Sequence, residues 1–330
     1  MESWILDESP GSYRFGNIDI ADPGPGEVRV RVVASALNHM DLWVTRGMPK
    51  PKTPHVPGAD GAGVIESVGE GVTSVAAGDE VILNPAVSCR RCAWCLAGES
   101  PLCKQFGILG EHRWGAHGEL VVVPEENVVT KPPSMSWEDA AAYPLVYLTA
   151  WRMLKRARLH AGETLLVVGV GGGVSSAGVA LGVACGAIVY GTSRDESKRR
   201  AAIEWGAVDA FDSSSDEPWP VQAHVVFENV GAATWDRAIR ALRPGGRLVT
   251  CGGTAGSKVE ISLPRLFFKQ HEIIGSTMGS YAEFDEVTTI VASGRAPVVV
   301  DEVFDGLDQF PAALERLERG EQLGKIVVRH

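Results

Sequence analysis

Residues 164–186 read TLLVVGVGGGVSSAGVALGVACG, and this stretch decides the fold of the second half of the chain. The run from Thr164 to Val168 suits a strand buried on both faces, as in a parallel sheet. Gly169, Gly171, Gly172 and Gly173 follow at once, and the apolar small-residue segment after them has helical length. Glycines at a strand-to-helix turn permit the tight bend and let a pyrophosphate approach the backbone N–H groups at the helix start. The strand–loop–helix context favours a phosphate-binding loop over a bare glycine turn. A G-x-G-x-x-G pattern would put its last glycine at Val174, and the related G-x-x-G-x-x-G frame would put it at Ser175. Helix and strand are therefore expected to sit slightly further apart.

The same rhythm continues downstream. AIVYGTS (187–193), HVVFENVG (224–231) and RLVTCGG (247–253) read as strands, and DESKRRAAIEWGA (195–207) and TWDRAIRALRPGG (234–246) as helices. Ala201, Ala202 and Trp205 are expected on the inner side of the first helix. Repetition of this kind defines a doubly wound α/β unit. Its second strand bears on which dinucleotide binds, because NAD sites usually carry an acidic residue about 20 positions beyond the loop, on the ribose 2′-OH. Ser193 stands there, followed by Arg194, with Lys198, Arg199 and Arg200 in the next helix. Arg194 can pair bidentately with a 2′-phosphate, so NADP(H) is expected. NAD(H) remains possible through Asp195 or Glu196.

Upstream the pattern is different. EVRVRVV (27–33) alternates strictly, with Val28, Val30 and Val32 on one face and Arg29 and Arg31 on the other, which predicts a half-buried antiparallel strand. GAGVIESV (61–68), DEVIL (79–83) and GELVVVP (118–124) read as further strands, separated by turns such as DPGPGE and AAGDE. The region to about residue 130 reads as a small β-barrel. KPPSMSWEDAAAYPLVYLTAWRMLKRA (131–157) then turns helical, with Ser136 as N-cap, carboxylates in the first turn and Pro144 dividing it in two.

Within the β region, SCRRCAWCLAGESPLC (88–103) gathers four of the six cysteines. A secreted disulfide framework would spread its cysteines along the chain. The C-x2-C-x2-C-x7-C spacing of Cys89, Cys92, Cys95 and Cys103 instead suits a closed tetrahedral lobe for a structural Zn2+, with no open position for substrate. Cys185 and Cys251 lie far downstream and read as core thiols.

Composition bounds the rest. Lys and Arg number 31 against 41 Asp and Glu, a net charge of −10, which argues against a nucleic-acid backbone as the partner. A hydrophobic share of 45% with 22% charged residues is globular rather than disordered. No apolar run approaches the roughly 18 residues of a membrane span. The opening MESWILDESPGSYRF carries no basic-then-apolar leader, so a cytoplasmic location is expected.

ALNHMDLW (36–43), PGADGAG (57–63), the four-cysteine lobe, the glycine loop and the ending GKIVV (324–328) together resemble the medium-chain dehydrogenase/reductase superfamily of zinc alcohol dehydrogenases and quinone oxidoreductases. The resemblance covers nearly the whole chain. It implies a GroES-like β-barrel catalytic domain from residues 1–147 and 279–330 and a Rossmann nucleotide-binding domain from residues 148–278, with the active-site cleft between them. It places the nicotinamide near Thr149, and GGTAG (252–256, with Gly252 and Gly253) and GSTMG (275–279) around the cofactor. Edge-to-edge pairing of nucleotide domains through the Leu263, Leu266, Phe267 and Phe268 region implies a homodimer or homotetramer.

The superfamily's catalytic zinc does not carry over. The positions of its three protein ligands are Asn38, Ala59 and Leu145 here, and a neutral amide binds Zn2+ far less well than thiolate or imidazole. Without that metal the developing oxyanion or enolate needs hydrogen-bond donors. Asn38 and His39 are the candidates, with Asp41 orienting one of them, and Trp43, Trp114 and Tyr147 offering apolar wall. A second metal held by some of His39, Asp41, Asp60, Glu111, His112 and His117 stays open. The expected activity is NADP(H)-dependent hydride transfer with a small-molecule quinone, enone or carbonyl. The alternatives are an alcohol dehydrogenase with a displaced catalytic metal and a non-catalytic NADPH-binding sensor.

Overall fold

The structure, a computed structural model, describes all of residues 1–330 and divides into two compact units. The first comprises Met1–Leu145, Ser280–Thr288 and Val299–His330, and the second Val146–Gly279 and Thr289–Val298.

The first unit is organised on the strand Glu27–Ala36, which pairs antiparallel with Asp60–Val68, Leu120–Pro124 and Lys325–Arg329. Its alternation holds as far as Val32: Val28, Val30 and Val32 are buried, Arg31 is exposed, and Arg29 reaches Glu66 and Asp22 at the surface. From Ala34 to Ala36 every residue is buried, and the side chains are accordingly small. The sheet continues through Glu80–Leu83 to Val128–Thr130 on one side and to the parallel strand Val300–Asp305 on the other. These seven strands carry a core that includes Val28, Val30, Ile65, Val81 and Leu83. The last strand of the chain therefore completes a sheet begun near its start, and this brings Lys325 beside residues 36–38. The helical segment divides as expected: Ser136 Oγ accepts the Asp139 N–H at 3.0 Å to start Trp137–Ala142, and Pro144 begins Pro144–Arg156.

The second unit is a six-stranded, wholly parallel sheet. Its spatial order is Asp209–Asp212, Ile188–Ser193, Thr164–Val167, Ala223–Glu228, Leu242–Thr250 and Glu272–Gly275, which is the dinucleotide-binding order of doubly wound folds. Leu165, Leu166 and Val167 are fully buried. Three details differ from the sequence reading. The fifth strand begins at Leu242 rather than at residue 247, with an irregular register against Ala223. Trp205 is only half-buried, because it caps the helix Glu196–Glu204 at its C-terminus rather than lying on its inner face. Finally, the glycine-loop helix Gly173–Ala184 does not sit far from the sheet. A Cβ at Gly178 would lie 3.1 Å from the Phe227 ring, and one at Gly182 would lie 2.5 Å from the Leu165 side chain. Close approach is thus secured by glycines further along the helix than the loop pattern specifies. No helix in the chain is long and apolar enough to cross a membrane.

Candidate functional site

The thiol lobe is built by tight local turns. Arg90 takes a left-handed φ of 56° between the first two cysteines, and Cys92 caps the short helix Ala93–Leu96, which turns Cys95 back toward it. The sulfurs lie 3.4 Å apart for Cys89 and Cys103, 3.5 Å for Cys92 and Cys95, and 3.9 Å for Cys89 and Cys95. All four fall within 4.8 Å of one another. A tetrahedral zinc with Zn–S near 2.3 Å requires S···S separations of about 3.8 Å, so the donor set fits that ion. The Gln105 N–H donates to Cys103 Sγ at 3.3 Å, and Cys89 is pushed down to about 6, chiefly by the Arg91 N–H and then by the Cys103 thiol. The lowering at Cys89 favours the thiolate a metal needs. Cys185 and Cys251 stand outside the cluster; both are half-buried, and burial raises both thiols, Cys251 to about 12.

The positions matching the superfamily's catalytic ligands are rewired. Asn38 precedes the helix His39–Thr45, and its backbone N–H donates to Asp41 Oδ2 at 2.8 Å. Asp41 Oδ1 also accepts the Gly58 N–H at 3.2 Å, so Asp41, fully buried, fixes the backbone of Asn38. The Asn38 carboxamide turns elsewhere. Its Nδ2 donates to Asp60 Oδ2 at 2.9 Å, and its Oδ1 accepts from Lys325 Nζ at 2.7 Å. Lys325 also donates to Asp60 Oδ2 at 2.8 Å and to the Leu37 carbonyl at 2.6 Å. Asp60 Oδ1 accepts the Leu145 N–H at 2.8 Å. A buried ion pair, with Lys325 3% and Asp60 0% exposed, therefore joins Asn38 to Leu145 and lies directly after Ala59 in the chain. Lys325 was not among the residues singled out from the sequence. A cation at the buried end of the strand Lys325–Arg329, whose other cation, Arg329, is exposed, was the available signal.

His39 opens the helix with its ring 6.4 Å from that of Trp43. Burial lowers its pKa first and the Lys325 charge second, with Asp41 opposing, so its imidazole is neutral at pH 7. His117 is fully buried, 3.5 Å from Asp41 Oδ2, and its other nitrogen pairs with Ser35 Oγ at 2.9 Å. Ser35 Oγ in turn pairs with His330 at 2.8 Å. Glu111 and His112 form a separate pair at 3.5 Å. The structure does not gather His39, Asp41, Asp60, Glu111, His112 and His117 into a ligand set; the four thiols are the group of three or more such side chains that converges. Trp114 is tied to the Pro54 carbonyl at 2.9 Å, and Tyr147 is buried in the second unit with its hydroxyl on the Pro297 carbonyl.

In the second unit, Gly169 takes φ +74° and Gly172 caps the helix Gly173–Ala184 without any side-chain bond to its first N–H groups. Those donors, at Gly173 and Val174, are what an anion meets at a helix N-terminus. Ser175 Oγ donates to the Val168 carbonyl at 2.9 Å, locking the loop to its strand. A Cβ at Gly171 would collide with the Lys198 side chain, so Lys198 lies across the loop. At the end of the second strand, Asp195 Oδ1 accepts the Ser197 and Lys198 N–H groups and caps the helix Glu196–Glu204. Arg199 donates to the Ser193 and Arg194 carbonyls, at 2.8 and 3.2 Å. Arg194 is exposed and Lys198 half-buried. Gly252 and Gly253 pack closely on Asn229 and on Gly256 and Ser257, and Thr149 is buried, with Oγ1 3.8 Å from Met278 Sδ.

A thiol lobe on a β-rich unit joined to a wholly parallel, glycine-loop sheet defines a zinc-binding, nicotinamide-dependent oxidoreductase. Residues 24–133 match the family model of the alcohol dehydrogenase GroES-like domain, and residues 173–293 match that of zinc-binding dehydrogenases. A solved NAD-dependent alcohol dehydrogenase is 38% identical, with a TM-score of 0.95 and complete coverage of both chains. An acryloyl-coenzyme A reductase of Metallosphaera sedula is 31% identical over 332 residues, covering 99% of each chain. A quinone oxidoreductase of Pseudomonas aeruginosa is 30% identical over 321 residues, covering 94% of this chain and 88% of its own. The chain belongs to the medium-chain dehydrogenase/reductase superfamily, with the GroES-like and Rossmann folds of that superfamily.

Proposed function

We propose that the protein is an NADPH-dependent reductase acting on an enone, a quinone or a related activated carbonyl, with a structural zinc in its thiol lobe. The observation that carries this reading is the side-chain set at the catalytic-ligand positions: Asn38, Ala59 and Leu145 provide no thiolate or imidazole. Alcohol oxidation concentrates charge on one alkoxide oxygen, for which the metal is the usual partner. Reduction of a conjugated system spreads the charge over an enolate, which hydrogen-bond donors can stabilise. Bound NADPH supplies the hydride. The Gly173 and Val174 N–H groups hold its pyrophosphate, Gly169 and Gly172 shape the turn, and Thr149 and the Gly252–Gly253 loop border the nicotinamide end. In the first unit Asn38 and His39 donate to the substrate oxygen, and Asp41 holds Asn38 in place.

Preference for NADPH rests on Arg194, Lys198 and Ser193, together with the use of Asp195 as a helix cap. Arg194→Ala is expected to weaken NADPH binding about tenfold while leaving NADH nearly unchanged, read by quenching of protein fluorescence. The direct test compares oxidation of NADPH and NADH against a panel of quinones, enones and aldehydes. Turnover of enones or quinones with NADPH preferred supports the proposal. A clear NADH preference overturns the cofactor assignment, and tight NADPH binding without turnover favours a sensor. The 38% likeness to an NAD-dependent alcohol dehydrogenase favours a second reading, interconversion of alcohol and ketone; metal-dependent oxidation of simple alcohols is its signature.

Association and location belong to the same reading. The helix Leu263–Phe268 exposes Phe267 and Phe268, at 60% and 78%, near the edge strand Glu272–Gly275, which suits a homodimer or homotetramer. Four thiols at metal spacing suit the reducing cytoplasm.

A further inference from the structure

We propose that Lys325 is a positioning residue that fixes and polarises the Asn38 carboxamide from behind the site. The inference rests on the reading of Asn38 as a donor to the substrate oxygen. The network around Lys325 is closed. The three ammonium hydrogens have three acceptors, the Leu37 carbonyl, Asn38 Oδ1 and Asp60 Oδ2. Asp60 balances the charge and spends its other oxygen on the Leu145 N–H. One connected network thus touches two of the three vacated ligand positions and begins one residue after the third, Ala59.

Asn38 is the element of that network able to serve a ligand. Its carbonyl oxygen is committed to the ammonium, and one amide hydrogen is committed to Asp60. The other faces only the Ala36 carbonyl at 3.5 Å, the outer limit of a hydrogen bond, and Asn38 keeps 8% of its surface exposed. Donation from Lys325 into Oδ1 draws electron density from the amide and strengthens the remaining N–H as a donor, because hydrogen bonds in series reinforce one another. The same bonds forbid the carboxamide flip that would present its oxygen to a developing oxyanion. Specificity follows: the site rewards a neutral carbonyl that gains negative charge and offers no open coordination position for an alkoxide.

The test uses a chromophoric enal, 4-dimethylaminocinnamaldehyde, bound to the whole enzyme with NADP+, so that no hydride transfer occurs. Polarisation of the probe's carbonyl moves its absorption to longer wavelength. The wild type is expected to show that shift, Lys325→Met to lose it, and Lys325→Arg to retain most of it. Steady-state reduction is expected to fall about 100-fold in kcat for Lys325→Met with NADPH affinity nearly unchanged, as for removal of an oxyanion donor. Lys325→Met leaves Asp60 without a counter-charge, so the double variant Asp60→Asn/Lys325→Met, which removes both charges together, serves as the folded control and is also expected to lack the shift. A full shift in either Met variant, or none in the wild type, overturns the proposal. Because the probe assay needs no turnover, an unexpected cofactor or substrate preference would register separately, in the kinetics.

Discussion

The thiol lobe and the Asn38–Asp60–Lys325 cluster are the two places where zinc-dependent members of this superfamily hold metal, and here they have diverged. The lobe keeps four sulfurs spaced for a dication. The cluster offers no such ligand set and holds Asn38 against a self-neutralising pair, one ammonium and one carboxylate, both removed from water. The lobe draws on one short segment, whereas the cluster joins residues 265 positions apart. The polar groups of the second site satisfy one another: Lys325 bonds Asn38, Asp60 and Leu37, and Asp60 also accepts from Leu145.

This contrast can be broken at either end, beginning with the larger effect. Cys103→Ser removes the most buried thiol of the lobe and is expected to reduce zinc from about one per chain to almost none, with the lobe losing its order. Metal analysis and proteolysis within residues 88–103 read this out; unchanged zinc would place the metal elsewhere. Next, Asp60→Ala strands a buried ammonium and is expected to cost roughly 3–5 kcal/mol in urea unfolding, while Asp60→Asn/Lys325→Met costs far less. Equal costs would mean that the pair is not acting as a buried unit.

The smallest effect is a pH dependence. His39, His55 and His330 all have lowered pKa values, burial being the first cause, and His330 lies near 3. The folded state therefore binds fewer protons than the unfolded chain, whose histidines titrate near 6.5. Their contribution is fully present above about pH 6.5 and is lost as pH falls below it. The thermal midpoint should drop between pH 7 and pH 5, and His330→Gln should flatten that drop. A midpoint that rises on acidification would contradict the assignment.

The sequence carried the lobe and the nucleotide unit because their signals are local. Cysteine spacing, a strand–glycine–helix junction and alternating valines each need only a few neighbouring residues. The resemblance to the superfamily also put non-ligands, Asn38, Ala59 and Leu145, at the expected catalytic-zinc positions. The contact of Lys325 with Asn38 was not legible, since it arises only through the register of the last strand against Glu27–Ala36. The tight helix packing at Gly178 and Gly182 escaped for a related reason: the loop motif ends before the residues that touch the sheet. Asp195 was ambiguous in the sequence, and the structure resolves its local role by showing which N–H groups it caps.

Zinc counted per chain in the purified protein, alongside Cys103→Ser, tests the divergence of the two sites most directly. The account predicts about one zinc in the wild type and almost none in the variant. About two per chain, or a zinc that survives loss of the lobe, would contradict it by placing a metal where Lys325 and Asp60 now pair.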